Sequence, residues 1–243
     1  MVTALVKYVV RISSNLLGVQ AWADLSSGSG SSDSGNDEVG RAVTALMVGL
    51  EENAFLLADA VTSEKIIIKP TENILLSIRV MQSRNTHRQR FPSVEENIST
   101  SWTSTGDSVE LASQALLANG DNGAVRVVFA AYHQLNRLLE YNSKSNKKTF
   151  LNSKVICASL GRGRHIRLPE PVKINLRHLQ PVDLDRVSPR CVYWDYLTNG
   201  WSSDGCQVIH SNVTHTRCQC SHLTNFALLM TEGKAAGRIV RLV

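Results

Sequence analysis

Nothing in these 243 residues approaches the run of roughly 18 to 20 apolar positions that a membrane-crossing helix needs. The tightest apolar run near the C-terminal end, Phe226 to Met230, is strand-sized. A secretory leader is also missing, because Lys7 and Arg11 interrupt the apolar stretch at the N-terminus and no small-residue cleavage site follows. The net charge of +5 invites a nucleic-acid reading. Its basic residues, however, fall in short clusters such as Lys144 to Lys148 and Arg162 to Arg167, with no interleaved aromatics and no recognisable nucleic-acid module. Solvated loops and no nucleic-acid partner are expected. No Gly-x-Ser-x-Gly turn supports a hydrolase acting on other molecules. The Cys-x-x-Cys spacing common in structural zinc sites is absent too, so neither a metal nor a cofactor is expected. No internal repeat is visible.

Hydrophobic content of 43% with 19% charged residues is that of an ordinary globular protein, and the length allows one large domain or two modest ones. Cysteine is distributed unevenly. Cys191, Cys206, Cys218 and Cys220 crowd one end of the chain, while Cys157 stands alone in an apolar stretch and reads as a buried core residue. Glycosylation sequons at Asn97 and Asn212 point to the secretory route. With no leader in the sequence, the chain is expected to be a fragment or an incomplete gene product.

Leu5, Val9, Ile12 and Leu16 recur at helical spacing and predict an amphipathic helix from Val2 to Leu17. A Ser/Gly/Asp-rich stretch from Ser26 reads as a flexible loop, over 26–38, ending in the helix-start signal Asn36-Asp37-Glu38. A second helix follows, with Val43, Leu46, Met47, Leu50, Ala54 and Leu57 on one face, and the two helices are expected to pack together. Past Val61 the texture changes to short β-branched runs between turn residues, the pattern of an antiparallel β-domain. Strands are expected at Ile66 to Ile68, Ile74 to Val80, Ser108 to Leu116 (in part helical), Val125 to Ala130 and Val155 to Leu160. The clearest has Val172, Ile174 and Leu176 alternating with Lys173, Asn175 and Arg177. The fold class is thus α+β, mainly β: a helical part over 1–62, then an antiparallel β-sandwich-like body over 63–190 that the segment 191–230 completes, and a tail over 231–243.

Cys218, Cys220, His222 and Thr224 are spaced two apart, so in a regular strand they share a face that Phe226, Leu228 and Met230 continue. Bonding Cys218 to Cys220 would close a tiny strained ring, which leaves each to pair with Cys191 or Cys206 in one of two patterns. A regular strand sets the Cα atoms of His222 and Thr224 about 6.6 Å apart, and a modest kink would bring the imidazole to about 3 Å from the hydroxyl. The activated hydroxyl would have the Leu223 carbonyl beside it. Attack there exchanges an amide for an ester that water cleaves more easily.

A histidine and a threonine alone would mean little, but their surroundings are specific. Cys191-Val192-Tyr193-Trp194, Gly200-Trp201, Gly205-Cys206 and the string from Thr216 through Cys218, Cys220, His222-Leu223-Thr224 to Asn225-Phe226-Ala227-Leu228-Leu229-Met230 closely resemble the GPS motif of adhesion G-protein-coupled receptors. Leu50 to Asp59 and Pro70 to Ile74 look like the GAIN domain of latrophilins, so the resemblance runs from about Val6 to Met230. It implies self-cleavage between Leu223 and Thr224 in cis, with His222 as base and Thr224 as nucleophile, rather than an enzyme acting in trans. It also implies disulfides Cys191 to Cys218 and Cys206 to Cys220, and a tethered-agonist role for the segment from Thr224 to Met230. The implied partners are the chain's own cleaved strand and, in a full-length receptor, the membrane helices and extracellular adhesion ligands. The implied place is the extracellular side of the plasma membrane. Two departures stand out: the helical end is shorter than in the family, and no membrane helix follows Met230. The alternatives are a GAIN-like structural or adhesive module that is never cut and a zinc site built from the four cysteines and His222.

Overall fold

The computed structural model describes residues 2–18, 32–93, 98, 100–139, 149–161 and 166–233. Asn97, the cluster from Lys144 to Lys148, His165, most of the Arg162 to Arg167 cluster and the tail beyond 233 lie outside them.

Two helices open the chain, α1 (Val2–Leu17) and α2 (Ser32–Asp59). Helix α2 begins ahead of the Asn36-Asp37-Glu38 signal, so the expected loop over 26–38 is corrected: residues 32–38 are helical, and 19–31 lie outside the described residues. Its apolar face is the expected one, with Val43, Met47, Leu50, Ala54 and Leu57 buried. The stripe expected on α1 is corrected. Val6, Val10, Ser13, Ser14 and Leu17 face inward, whereas Ile12 is 58% exposed and Leu16 45%. The physical reason is Asn73. Its backbone N–H donates to the Ser14 hydroxyl (3.0 Å) and its side-chain amide to the Ser14 carbonyl (2.9 Å), so a polar turn of helix is buried without an unmet hydrogen bond.

The β elements are β1 (Lys65–Pro70), β2 (Ile74–Gln82), β3 (Gln89–Phe91), β4 (Ser108–Leu111), β5 (Ala124–Tyr132), β6 (Thr149–Leu151), β7 (Val155–Leu160), β8 (Arg167–Arg177), β9 (Val187–Asp195), β10 (Gly200–Ser202), β11 (Cys206–Ser211), β12 (His215–His222) and β13 (Asn225–Glu232). The stretch expected at Ser108 to Leu116 divides into β4 and a short helix, Ser113–Leu117. An eight-stranded sheet runs β1-β2-β5-β7-β13-β9-β10, with β6 also pairing β13. A five-stranded sheet runs β11-β12-β8-β4-β3. The pairings between strands are antiparallel.

Three layers result. Helices α1 and α2 cover the outer face of the large sheet, where Val43, Met47 and Leu50 meet Ile78, Val128, Ala227 and Leu229. The sheets enclose a second core, where Phe91, Phe129, Val172 and Ile174 meet Phe226, Leu228 and Met230. The helices therefore share a core with the β body and contact each other as expected. The boundary expected at residue 190 falls inside β9, and β9 to β13 supply strands to both sheets. No helix among the described residues is long and apolar enough to cross a membrane.

Candidate functional site

The chain changes sheets at Leu223-Thr224. Strand β12 ends at His222 in the five-stranded sheet, and β13 starts at Asn225 in the middle of the eight-stranded one. The extended segment expected from Cys218 to Met230, with a modest kink at Leu223-Thr224, is thus two strands joined by a bend there, with a bulge between Cys220 and His222 as the first step out of register. The kink that the chemistry asks for exists because consecutive residues serve different sheets.

Each residue at the bend is held separately. Leu223 and Thr224 are both 4% exposed, so the peptide between them is buried. The Thr224 carbonyl accepts from the Ala158 N–H on β7 (3.2 Å). Its hydroxyl donates to the Trp194 carbonyl on β9 (3.3 Å) rather than to His222. The half-buried His222 ring meets Tyr193 edge-on, with centroids 4.4 Å apart. Its Nε2 lies 3.0 Å from the Asp204 carbonyl. A carbonyl can only accept, so Nε2 carries the hydrogen, and in the neutral ring the buried Nδ1 is the basic nitrogen.

Gly205 makes that placement possible. It has φ of +70°, and a Cβ there would lie 2.6 Å from Ser221 Oγ and 3.2 Å from His222 Cδ2. Spacing alone gave no sign of Asp204, because a backbone carbonyl leaves no mark in the residue code. The motif contains Tyr193, but its contact with His222 follows from β9 pairing with β13 opposite Phe226.

The cysteines form Cys191–Cys218, between β9 and β12, and Cys206–Cys220, directly opposed on β11 and β12. The first bridges the two sheets and the second closes a hairpin. With all four sulfurs in disulfides, the thiolates that a zinc site would use are gone. Cys157 is buried, and burial pushes its thiol far above the ordinary value, in keeping with an inert core residue.

Downstream of the bend, Asn225 to Met230 are buried on both faces. Strand β13 pairs β9 along one edge and β7 and β6 along the other. The gap between β7 and β6 is closed by Ser153, whose hydroxyl accepts from the Leu228 N–H, and by the Asn152 N–H, which donates to the Leu228 carbonyl. Asn225 donates from its amide to the Tyr196 hydroxyl.

Comparison with known proteins adds a decisive observation: residues 73–234 match the model of the family described as GPS, GAIN subdomain B. The chain belongs to that GAIN family. Among its relatives, latrophilin Cirl of Drosophila ananassae is 37% identical over 95% of this chain. Human adhesion G protein-coupled receptor L1 is 31% identical over 98%. The chain spans only 14% and 16% of those two proteins. The full extracellular region of zebrafish Gpr126/Adgrg6 shares the fold, with a TM-score of 0.62 and 20% identity over 90% of this chain and 29% of that one. The sequence motif from Cys191 to Met230 is therefore an integral part of the GAIN fold.

Proposed function

We propose that this GAIN chain is the self-cleaving extracellular region of a latrophilin-type adhesion receptor, cut once in cis between Leu223 and Thr224. The observation that carries the reading is the bend itself, a buried threonine two residues after an oriented imidazole, where the chain passes between two sheets. For the reaction the Thr224 hydroxyl must leave the Trp194 carbonyl and turn toward the basic nitrogen of His222. The hydroxyl oxygen then attacks the Leu223 carbonyl carbon as its proton passes to the imidazole. The C–N bond breaks, the nitrogen takes the proton, and Leu223 is left as an ester on Thr224 Oγ with a free amine beside it. Water hydrolyses the ester to a Leu223 carboxylate and restores the hydroxyl. Covalent proximity gives effective molarities of roughly 10⁵ to 10⁸ M in well-oriented cases.

The segment from Thr224 to Met230 stays docked after the cut and acts as a tethered agonist when drawn out of the sheet. Asn212, exposed at the tip of the β11–β12 hairpin, carries an N-glycan, as does Asn97.

The rival is a GAIN-like module that folds and is never cut, and it draws on the resting hydrogen bond from Thr224 to Trp194. A reducing, denaturing gel of secreted protein separates the two. Two bands for the natural sequence and one for Thr224→Ala are expected. A single full-length band for both proteins removes the cleavage reading.

A further inference from the structure

Among the described residues no layer covers the outer face of the five-stranded sheet, and its side chains are distributed unevenly in charge. Across four strands the register aligns Arg90 on β3, Glu110 on β4, Lys173 on β8 and Gln219 on β12. One step along, Asn175 on β8 stands beside Arg217 on β12. Arg90, Lys173 and Arg217 are exposed. Among the described residues no ion pair engages these three, whereas Glu110 is paired with Arg88 at 3.3 Å. The three cations line one cavity of about 350 Å³. A second, of about 340 Å³, shares Asn175 and Arg217 with it and ends at Asn212. The two form a continuous trough across the strands.

We infer that this trough is a docking surface for a sulfated polysaccharide chain. Arg90 and Lys173 stand two strand spacings apart, about 4.8 Å each. Arg217, one register step along, adds a third cation, so the trough suits a ligand with repeated anions. Asn175 and Gln219 lie between the cations as uncharged partners for sugar hydroxyls. Among the described residues the face lacks the row of apolar side chains that would insert into a lipid surface and the aromatic anchors that dominate protein interfaces. Ile209 is its one large exposed apolar side chain among the described residues. Only the choice of an extracellular polyanion rests on the proposed function; the charge arrangement does not.

The test is binding of a heparin-derived decasaccharide to the purified chain by calorimetry, for the natural sequence, Lys173→Glu/Arg217→Glu, and Lys7→Glu/Arg11→Glu as a control of equal charge change on α1. The trough variant is expected to lose about tenfold or more in affinity and the control to change little, with binding weakening as salt rises. If reversal prevents folding, Lys173→Gln/Arg217→Gln is expected to give the same loss in smaller degree. Equal losses in trough and control variants, or no binding by the natural chain, overturn the proposal. So does equal competition by inorganic sulfate, phosphatidylserine vesicles or poly-glutamate. Thr224→Ala should bind like the natural chain, so failure of the cleavage reading leaves this result distinguishable.

Discussion

His178 is a histidine whose two nitrogens are both fixed by geometry. Nδ1 donates to the Val213 carbonyl (2.9 Å), and Nε2 accepts from the Thr216 hydroxyl (2.8 Å), which accepts in turn from Ser211 (2.7 Å). Sequence spacing does not disclose these partners, because His178 follows β8 while Ser211, Thr216 and Val213 lie on β11, β12 and the turn between them. Burial holds its pKa below the ordinary 6.5, and nearby His215 adds to the effect while the Val213 bond opposes it. The unfolded chain therefore takes up a proton that the folded state resists. The contribution is fully present above about pH 6.5 and is lost as pH falls through the folded-state value. His133, also depressed by burial first and Lys154 second, acts in the same direction. The melting temperature is expected to fall between about pH 7.5 and about pH 5, and His178→Gln should flatten that dependence. At the bend between β12 and β13 the corresponding constraint is Gly205. Gly205→Ala is expected to slow self-cleavage by about tenfold to a hundredfold through displacement of the His222 ring, read as the uncut fraction over time.

Among the elements, strand periodicity was legible where a strand keeps one face buried and the other exposed, as in the alternation from Val172 to Leu176 on β8. It misled where a strand changes partners. From Cys218 to Met230 the period of two continues through the sequence, and only the sheet pairing reveals the break after His222. Helix α1 fails for a related reason: two adjacent stripes compete, and the choice depends on Asn73 in a distant turn. The family motif itself was legible as a string of residues, but Asp204 and the Trp194 carbonyl act through the backbone. Strand β13 sits in mid-sheet with Phe226, Leu228 and Met230 in the inter-sheet core, each contributing about 1.5 to 3 kcal/mol by burial. Leu228→Ala is expected to cost about 3 kcal/mol in chemical denaturation and to loosen the strand after cleavage.

For the whole molecule, the cysteine and tryptophan positions of the motif join layers. Cys191–Cys218 links the sheets. Trp194 donates from Nε1 to the Thr44 hydroxyl on α2 (2.8 Å), which donates to Asn199 (2.7 Å), while Trp201 meets Trp194 edge-on. Replacing Cys191 and Cys218 by alanine is expected to cost about 2 to 5 kcal/mol in denaturant unfolding. Because the proposed cut falls after the last cysteine, neither disulfide spans it, and non-covalent packing would have to hold the two pieces together. Intact-mass spectrometry of the secreted protein after removal of its N-glycans tests this most directly. Under native conditions the expected species is the whole chain plus one water, and under denaturing conditions it yields a C-terminal piece beginning at Thr224. A native mass equal to the uncut chain, with no Thr224 terminus after denaturation, would contradict self-cleavage.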